Sequence, residues 1–252
     1  MLRPFITACL LTLAAPAFAD STFVFPEDQA ETDFIANEVI ATFYHEVGHG
    51  LIDVLKIPVL GKEEDAADTL SVILMDRIWK EEAAAEILRS DAMTYAANAD
   101  YSLDDTDPAD FADEHSLDIQ RYYAVVCLFY GANPDARRDL AVELELPEAK
   151  LESCPDEWAY ASGAWDKVLE GTEPGPKKKG LVMGEGQEDL ELAQLLADEV
   201  ASLNQMIGLP EDITVWVADC GEANAYYSPD DKAITICNEY AQYLQEIWAA
   251  SE

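Results

Sequence analysis

The chain has 252 residues, of which 51 are Asp or Glu and 15 are Lys or Arg, giving a formal net charge of −36 at pH 7. That field repels nucleic-acid phosphates and an anionic membrane surface, so neither is expected as a partner, whereas cationic substrates are favoured. The simpler reading of the charge is a solvated acidic surface with no steering role.

Residues 1–19 combine Arg3, an apolar run over 5–16 and the small-residue pattern Ala17-Phe18-Ala19. This reads as a secretory signal peptide, so the mature chain is expected to begin at Asp20 and to be periplasmic or secreted. The apolar run is too short to span a bilayer and nothing later is long enough, so no membrane insertion is expected. Cys9 leaves with the signal peptide, and the even set Cys127, Cys154, Cys220 and Cys237 suits disulfides in an oxidising compartment. Four cysteines allow three pairings, of which 127–154 with 220–237 keeps each bridge local. A four-thiolate zinc site is disfavoured by the long spacings and the lack of a CxxC.

Residues 32–55 place apolar side chains at helical spacing (Phe34, Ile35, Val39, Ile40, Phe43, Val47, Leu51) with no proline before Pro58, and predict a long helix. A Pro- and Gly-containing turn over 56–61 leads to a second helical stretch over 63–89, antiparallel to the first because the connection is short. The acidic residues 100–110 read as a surface loop. Residues 116–130 predict a buried helix ended by Gly131, followed by shorter helices over 135–144, 147–151 and 156–169. The Gly-, Pro- and Lys-rich segment 171–186 reads as a linker. Beyond it come a helix over 190–207, β-rich runs over 213–217 and 233–237 that suggest a hairpin-like pair, a possible third short strand over 225–227, and a closing helix over 238–250.

Chemistry concentrates in His45-Glu46-Val47-Gly48-His49, which holds two of only three histidines. On a helix, positions i and i+4 share a face, so both imidazoles can reach one divalent ion while Glu46 addresses a water activated by it. This is the HExxH arrangement of zinc hydrolases, and Zn2+ is the expected cofactor. A hydrolytic zinc needs a third protein ligand and one open position. Glu64 and Asp68 share a face of the second helix, with Ala67 leaving room beside them, while Glu63 and Asp65 are expected to face solvent. From helix lengths alone, Asp68 sits closer to level with His49 than Glu64 does, whereas an oblique crossing or a climbing connection favours Glu64; both stay candidates, with Glu64 ranked first. The third histidine, His115, precedes an apolar helix and is read either as an oxyanion or substrate contact or as a capping surface residue. Arg121, isolated in that helix, is expected to pair with a buried acid.

The Glu64-to-Asp68 segment matches the ExxAD pattern of gluzincins. That resemblance implies Glu64 as third ligand and Asp68 as the acceptor that holds the ring N–H of a ligating histidine. More widely, the stretch from Tyr44 to Asp53, the stretch from Pro58 to Asp68, Asp113-Glu114-His115-Ser116, Gln120 to Tyr123, Cys127, and the Cys220 to Tyr227 and Ile234 to Cys237 segments resemble a bacterial domain-of-unknown-function family whose metallopeptidase label rests on the motif. The resemblance covers most of the chain.

Residue pattern and resemblance together point to an α+β, mainly helical fold: a zincin-like helical catalytic region over 20–170, the linker over 171–186, and an α/β C-terminal segment over 187–252 with disulfide-tied strands, packed on the same domain. The resemblance also implies a secreted, gluzincin-like zinc metallopeptidase acting on a peptide or protein substrate, with Glu46 as general base and His115 assisting. The alternative is a non-catalytic zinc-containing binding module of the cell envelope. Zincins place a strand before the HExxH helix and this chain has none there. One reading has the C-terminal strands fold back into that place, as in a circular permutation, with residues 223–227 bordering the cleft; the other makes them a stabilising cap.

Overall fold

The computed structural model describes residues 22–99 and 109–251. The expected signal peptide and most of the acidic stretch over 100–110 lie outside the described residues. The architecture is α+β and mainly helical, with a small mixed sheet formed late in the chain.

Helix α1 (Gln29–Val54) starts where the Asp28 carboxylate accepts from the amides of Ala30 and Glu31, each at 3.0 Å. Such a cap satisfies amides that the helix itself leaves bare and stabilises by about 1 kcal/mol. At 26 residues α1 is about 39 Å long, and its middle is buried on all sides, because α2 (Glu63–Ile78), α3 (Glu81–Asn98), the sheet and α9 (Asn238–Ser251) all pack around it. The second helical stretch breaks in two at Trp79, whose extended backbone lets its indole N–H donate to the Tyr44 hydroxyl at 2.9 Å.

Helices α4 (Asp118–Ala132), α5 (Pro134–Glu143), α6 (Glu148–Leu151) and α7 (Cys154–Leu169) form a second apolar cluster against α3, with Phe129 and Leu88 at its centre. The Cys127–Cys154 disulfide lies inside it. Gly131 does not end α4 as the sequence suggested. A Cβ there would lie 2.2 Å from the Cys154 carbonyl oxygen, so glycine is needed for the close approach of α7.

The sheet corrects two sequence expectations. Residues 171–186 are not all linker, since Leu181–Met183 forms β1 and pairs in parallel with β2 (Ile213–Ala218) across the helix α8 (Glu191–Met206). Nor do the runs near 213–217 and 233–237 form a hairpin: β2 and β4 (Ala233–Cys237) are parallel, and the hairpin partner of β4 is the short β3 (Ala225–Ser228). The strand order β1-β2-β4-β3 buries β4 and leaves β3 at an edge. All five residues of β4 are buried, which explains its unbroken apolar run. The Cys220–Cys237 disulfide closes the hairpin segment.

The sheet packs on the C-terminal half of α1. A Cβ on Gly50 would lie 2.9 Å from Ile213 Cδ1, and Tyr227 donates to Asp53 at 2.7 Å. Phe43 and Leu70 from the helices share one core with Ile234 and Leu244 from the C-terminal segment.

Candidate metal centre

His45 and His49 lie on one face of α1, and α2 runs antiparallel across that face. Contact is close because Gly48 meets Ala67: a Cβ on Gly48 would stand 2.9 Å from Ala67 Cα. The connection from Leu55 to Lys62 climbs back along the last turns of α1, so α2 begins level with His49 rather than beyond the end of α1. Glu64 therefore falls between the two imidazoles, and Asp68 stands beside His45, not His49. A climbing connection is the path that favours Glu64 over Asp68.

Glu64 Oε2 is 3.1 Å from His45 Nε2 and 3.3 Å from His49 Nε2, and the two Nε2 atoms are 3.1 Å apart. The other nitrogen of each ring is engaged: His45 Nδ1 with Asp68 at 2.7 Å, His49 Nδ1 with Glu63 at 2.9 Å. Since a carboxylate only accepts, the network assigns a proton to each Nδ1 and turns both Nε2 atoms toward the Glu64 oxygen, where a proton or a metal cation can join them. Three acceptors within 4.8 Å of one another are mutually repulsive until a cation joins them. Two imidazoles with carboxylate-fixed tautomers plus a carboxylate are the donor chemistry of a divalent metal site, so these residues fit a metal ion.

The surrounding charges are arranged to keep the acids ionised. Burial acts to raise Asp68, but hydrogen bonds from Arg121 and His45 hold it well below the usual range. Arg121 is bidentate on it, at 2.7 and 2.8 Å, and stacks over Tyr95, whose hydroxyl also donates to Asp68. Arg121 thus takes the buried acid expected of it. Burial lowers His45, yet the hydrogen bonds to Asp68 and then Glu64 raise it to about 10. Glu64 is likewise held low against burial by His115, His45 and His49. Glu46 is 5 % exposed and shifts the other way, because desolvation favours its neutral form.

His115 reaches the same centre from a different segment, its Nε2 3.1 Å from Glu64 Oε2, while the ring is half exposed. No local pattern in the chain marks what positions it. Lys62 donates to the carbonyls of Asp113 at 3.2 Å and His115 at 2.7 Å, and Ser116 donates to Asp65 at 2.8 Å, which ties the loop to the start of α2. Glu63 and Asp65 are exposed, as expected, and each also makes one contact at the site, Glu63 with His49 and Asp65 with Ser116. A carboxylate at a helix start has several orientations of similar energy, so spacing alone cannot assign them.

His45, Glu46, His49, Glu64 and His115 line a cleft of ≈ 680 Å³, whose opposite wall is the edge strand β3 with Tyr226 and Tyr227. Residues 224–227 of the expected segment 223–227 therefore border the cleft.

A family model described as "Putative metallopeptidase", a domain of unknown function (DUF4344), matches residues 9–169 and 183–252. The chain belongs to this family. Membership in a metallopeptidase family implies a metal ion and a peptide substrate, and His45, His49 and Glu64 are the described residues that could hold that ion. No curated protein and no solved structure matches the chain.

Proposed function

We propose that the protein is a periplasmic or secreted zinc-dependent peptidase of gluzincin type, with His45, His49 and Glu64 as ligands and Glu46 as general base. The observation that carries this is the spacing of the three acceptors. Ligand atoms 2.0–2.1 Å from a tetrahedral zinc stand about 3.3 Å apart, and the separations of 3.1, 3.1 and 3.3 Å match that closely. Magnesium and calcium prefer all-oxygen shells, which two imidazoles do not provide.

Bound zinc would polarise the scissile carbonyl and bring a water to a pKa near 7. Glu46 stands beside the ligands on α1 without joining them, and its raised pKa suits a group that takes a proton from that water and passes it to the leaving amine. His115, on a loop tied down by Lys62, would donate from Nε2 to the oxyanion or to a substrate carbonyl once Glu64 is engaged by the ion. Asp68, fixed by Arg121, holds His45 Nδ1 and so would leave Nε2 to bind the ion. The outer edge of β3 offers backbone groups to an extended peptide, which fits the reading of these strands as a permuted substitute for the zincin edge strand.

Two disulfides fit an oxidising compartment, and among the described residues no helix is long and apolar enough to cross a membrane. Hydrolysis of a peptide library by zinc-loaded protein, with Glu46→Gln as control, tests the reading. Wild type is expected to cleave, and the variant to retain zinc but lose at least 100-fold in rate. A wild type that binds zinc but is inert toward the library would favour the non-catalytic binding module.

A further inference from the structure

Behind the metal centre lies a second cavity of ≈ 190 Å³ that shares His45, Glu46, His115, Asn224 and Ala225 with the cleft. Its floor carries Glu38 from α1 and Asp91 from α3, only 3 % and 5 % exposed. Glu38 Oε2 and Asp91 Oδ2 are buried without a hydrogen-bond partner. Unsatisfied buried carboxylate oxygens are costly, and they call for an explanation.

The nearby donors are already committed. Tyr240 donates to Glu38 Oε1 at 2.7 Å and Thr42 shares that oxygen at 3.3 Å, Thr94 donates to the Ser90 carbonyl, and Arg121 and Tyr95 are taken by Asp68. Glu46 and Asp118 add two more carboxyl groups to the wall. Arg121 and His45 also line the cavity, but both are engaged with Asp68, so among the described residues no cation hydrogen-bonds the two bare oxygens. At about 30 Å³ per water its volume holds roughly six, which is room for a short alkyl chain with a polar head. The apolar part of the wall is Ala41, Ala223 and Ala225, whose small side chains leave a path for methylenes.

We propose that this cavity is a specificity pocket for a lysine side chain of the peptide substrate, with the ammonium seated between Glu38 and Asp91. The inference rests on the peptidase reading of the adjoining cleft. An ammonium carries three donors, enough for both bare oxygens and one more acceptor. The stem would run along the three alanines toward the cleft, and the net charge of −36 would favour the approach of basic peptides.

The test is calorimetric titration of the full chain with n-butylammonium chloride at fixed ionic strength, with n-butanol as the uncharged control. Saturable binding of the ammonium alone is expected, weakened at least tenfold in the double variant Glu38→Gln/Asp91→Asn. Ala223→Leu, at an exposed loop position where folding is not at stake, should narrow the cavity and give a similar loss. In a peptide library, lysine should be enriched at one position beside the cleaved bond in wild type and not in the double variant. Absence of saturable ammonium binding, or binding that survives both variants, overturns the proposal. So does uptake of calcium or sodium that the double variant abolishes, which would mark an inorganic cation site. Because n-butylammonium binding needs no hydrolysis, the two readings fail separately: cleavage without lysine preference removes the pocket, and ammonium binding without cleavage removes the peptidase.

Discussion

Gly48 of α1 rests on Ala67 of α2 so closely that an added Cβ would sit 3.0 Å from the Ala67 methyl and 2.9 Å from its Cα. One residue lies inside the HExxH motif and the other inside ExxAD. Their contact sets the spacing at which carboxylates on α2 meet imidazoles on α1.

Gly48→Ala should therefore weaken the site although alanine is the better helix former by about 1 kcal/mol. Overpacking a closed contact costs about 1–3 kcal/mol, and any outward shift of α2 moves Glu64 from both Nε2 atoms. A lower Tm and at least tenfold weaker metal binding are expected in a chelator competition assay. Unchanged metal affinity would show that the helix contact does not set the ligand geometry.

Arg121 stabilises the site through Asp68. Arg121→Leu leaves a buried carboxylate without its fork and should cost about 3–5 kcal/mol in urea unfolding. Arg121→Lys keeps the charge but loses the bidentate geometry and should fall between the two. If Arg121→Leu unfolds at the wild-type urea concentration, the pair has no structural weight.

The buried acid Asp91 gives a pH signature. Burial first, then the Asp68 charge, pushes its carboxyl up to about 7, opposed by Arg121 and His45, with Glu38 as its neighbour on α1. In the unfolded chain the group ionises near the ordinary value of about 4. Between these values the folded state binds the extra proton, so this group's contribution to stability falls as pH rises from about 4 to about 7 and is flat above. The difference in Tm between wild type and Asp91→Asn should follow that course, with the variant gaining most above pH 7. A difference that does not vary with pH would place the Asp91 titration elsewhere.

The Cys220–Cys237 bridge closes a 17-residue separation around the hairpin that walls the cleft. A loop of that size corresponds to about 3 kcal/mol. The Cys220→Ser/Cys237→Ser pair should lower the Tm and raise the KM for peptide more than it changes metal content. Equal peptide KM in the two proteins would remove the hairpin from substrate binding.

Much of the helical half was legible because its signals are local. Apolar spacing marked α1, and the i, i+4 histidines marked its functional face. The sheet was harder to read, since parallel pairing of β2 with β4 depends on contacts distant in sequence, and the three residues of β1 carry too little pattern to stand out among prolines and lysines. Glu64 was recognisable from ExxAD, but its height relative to His49 depended on the path of the connecting segment. Lys62, Glu63 and Glu38 could not be found from spacing, because their roles come from the three-dimensional approach of other segments.

The most direct measurement is metal content by elemental analysis of protein purified without chelator, compared among wild type, His45→Ala, Glu64→Ala and Glu46→Gln. One equivalent of zinc in wild type and Glu46→Gln, with loss in His45→Ala and Glu64→Ala, is the predicted result. A full equivalent retained by Glu64→Ala, or no metal in folded wild type, would contradict the convergence of His45, His49 and Glu64 on one ion.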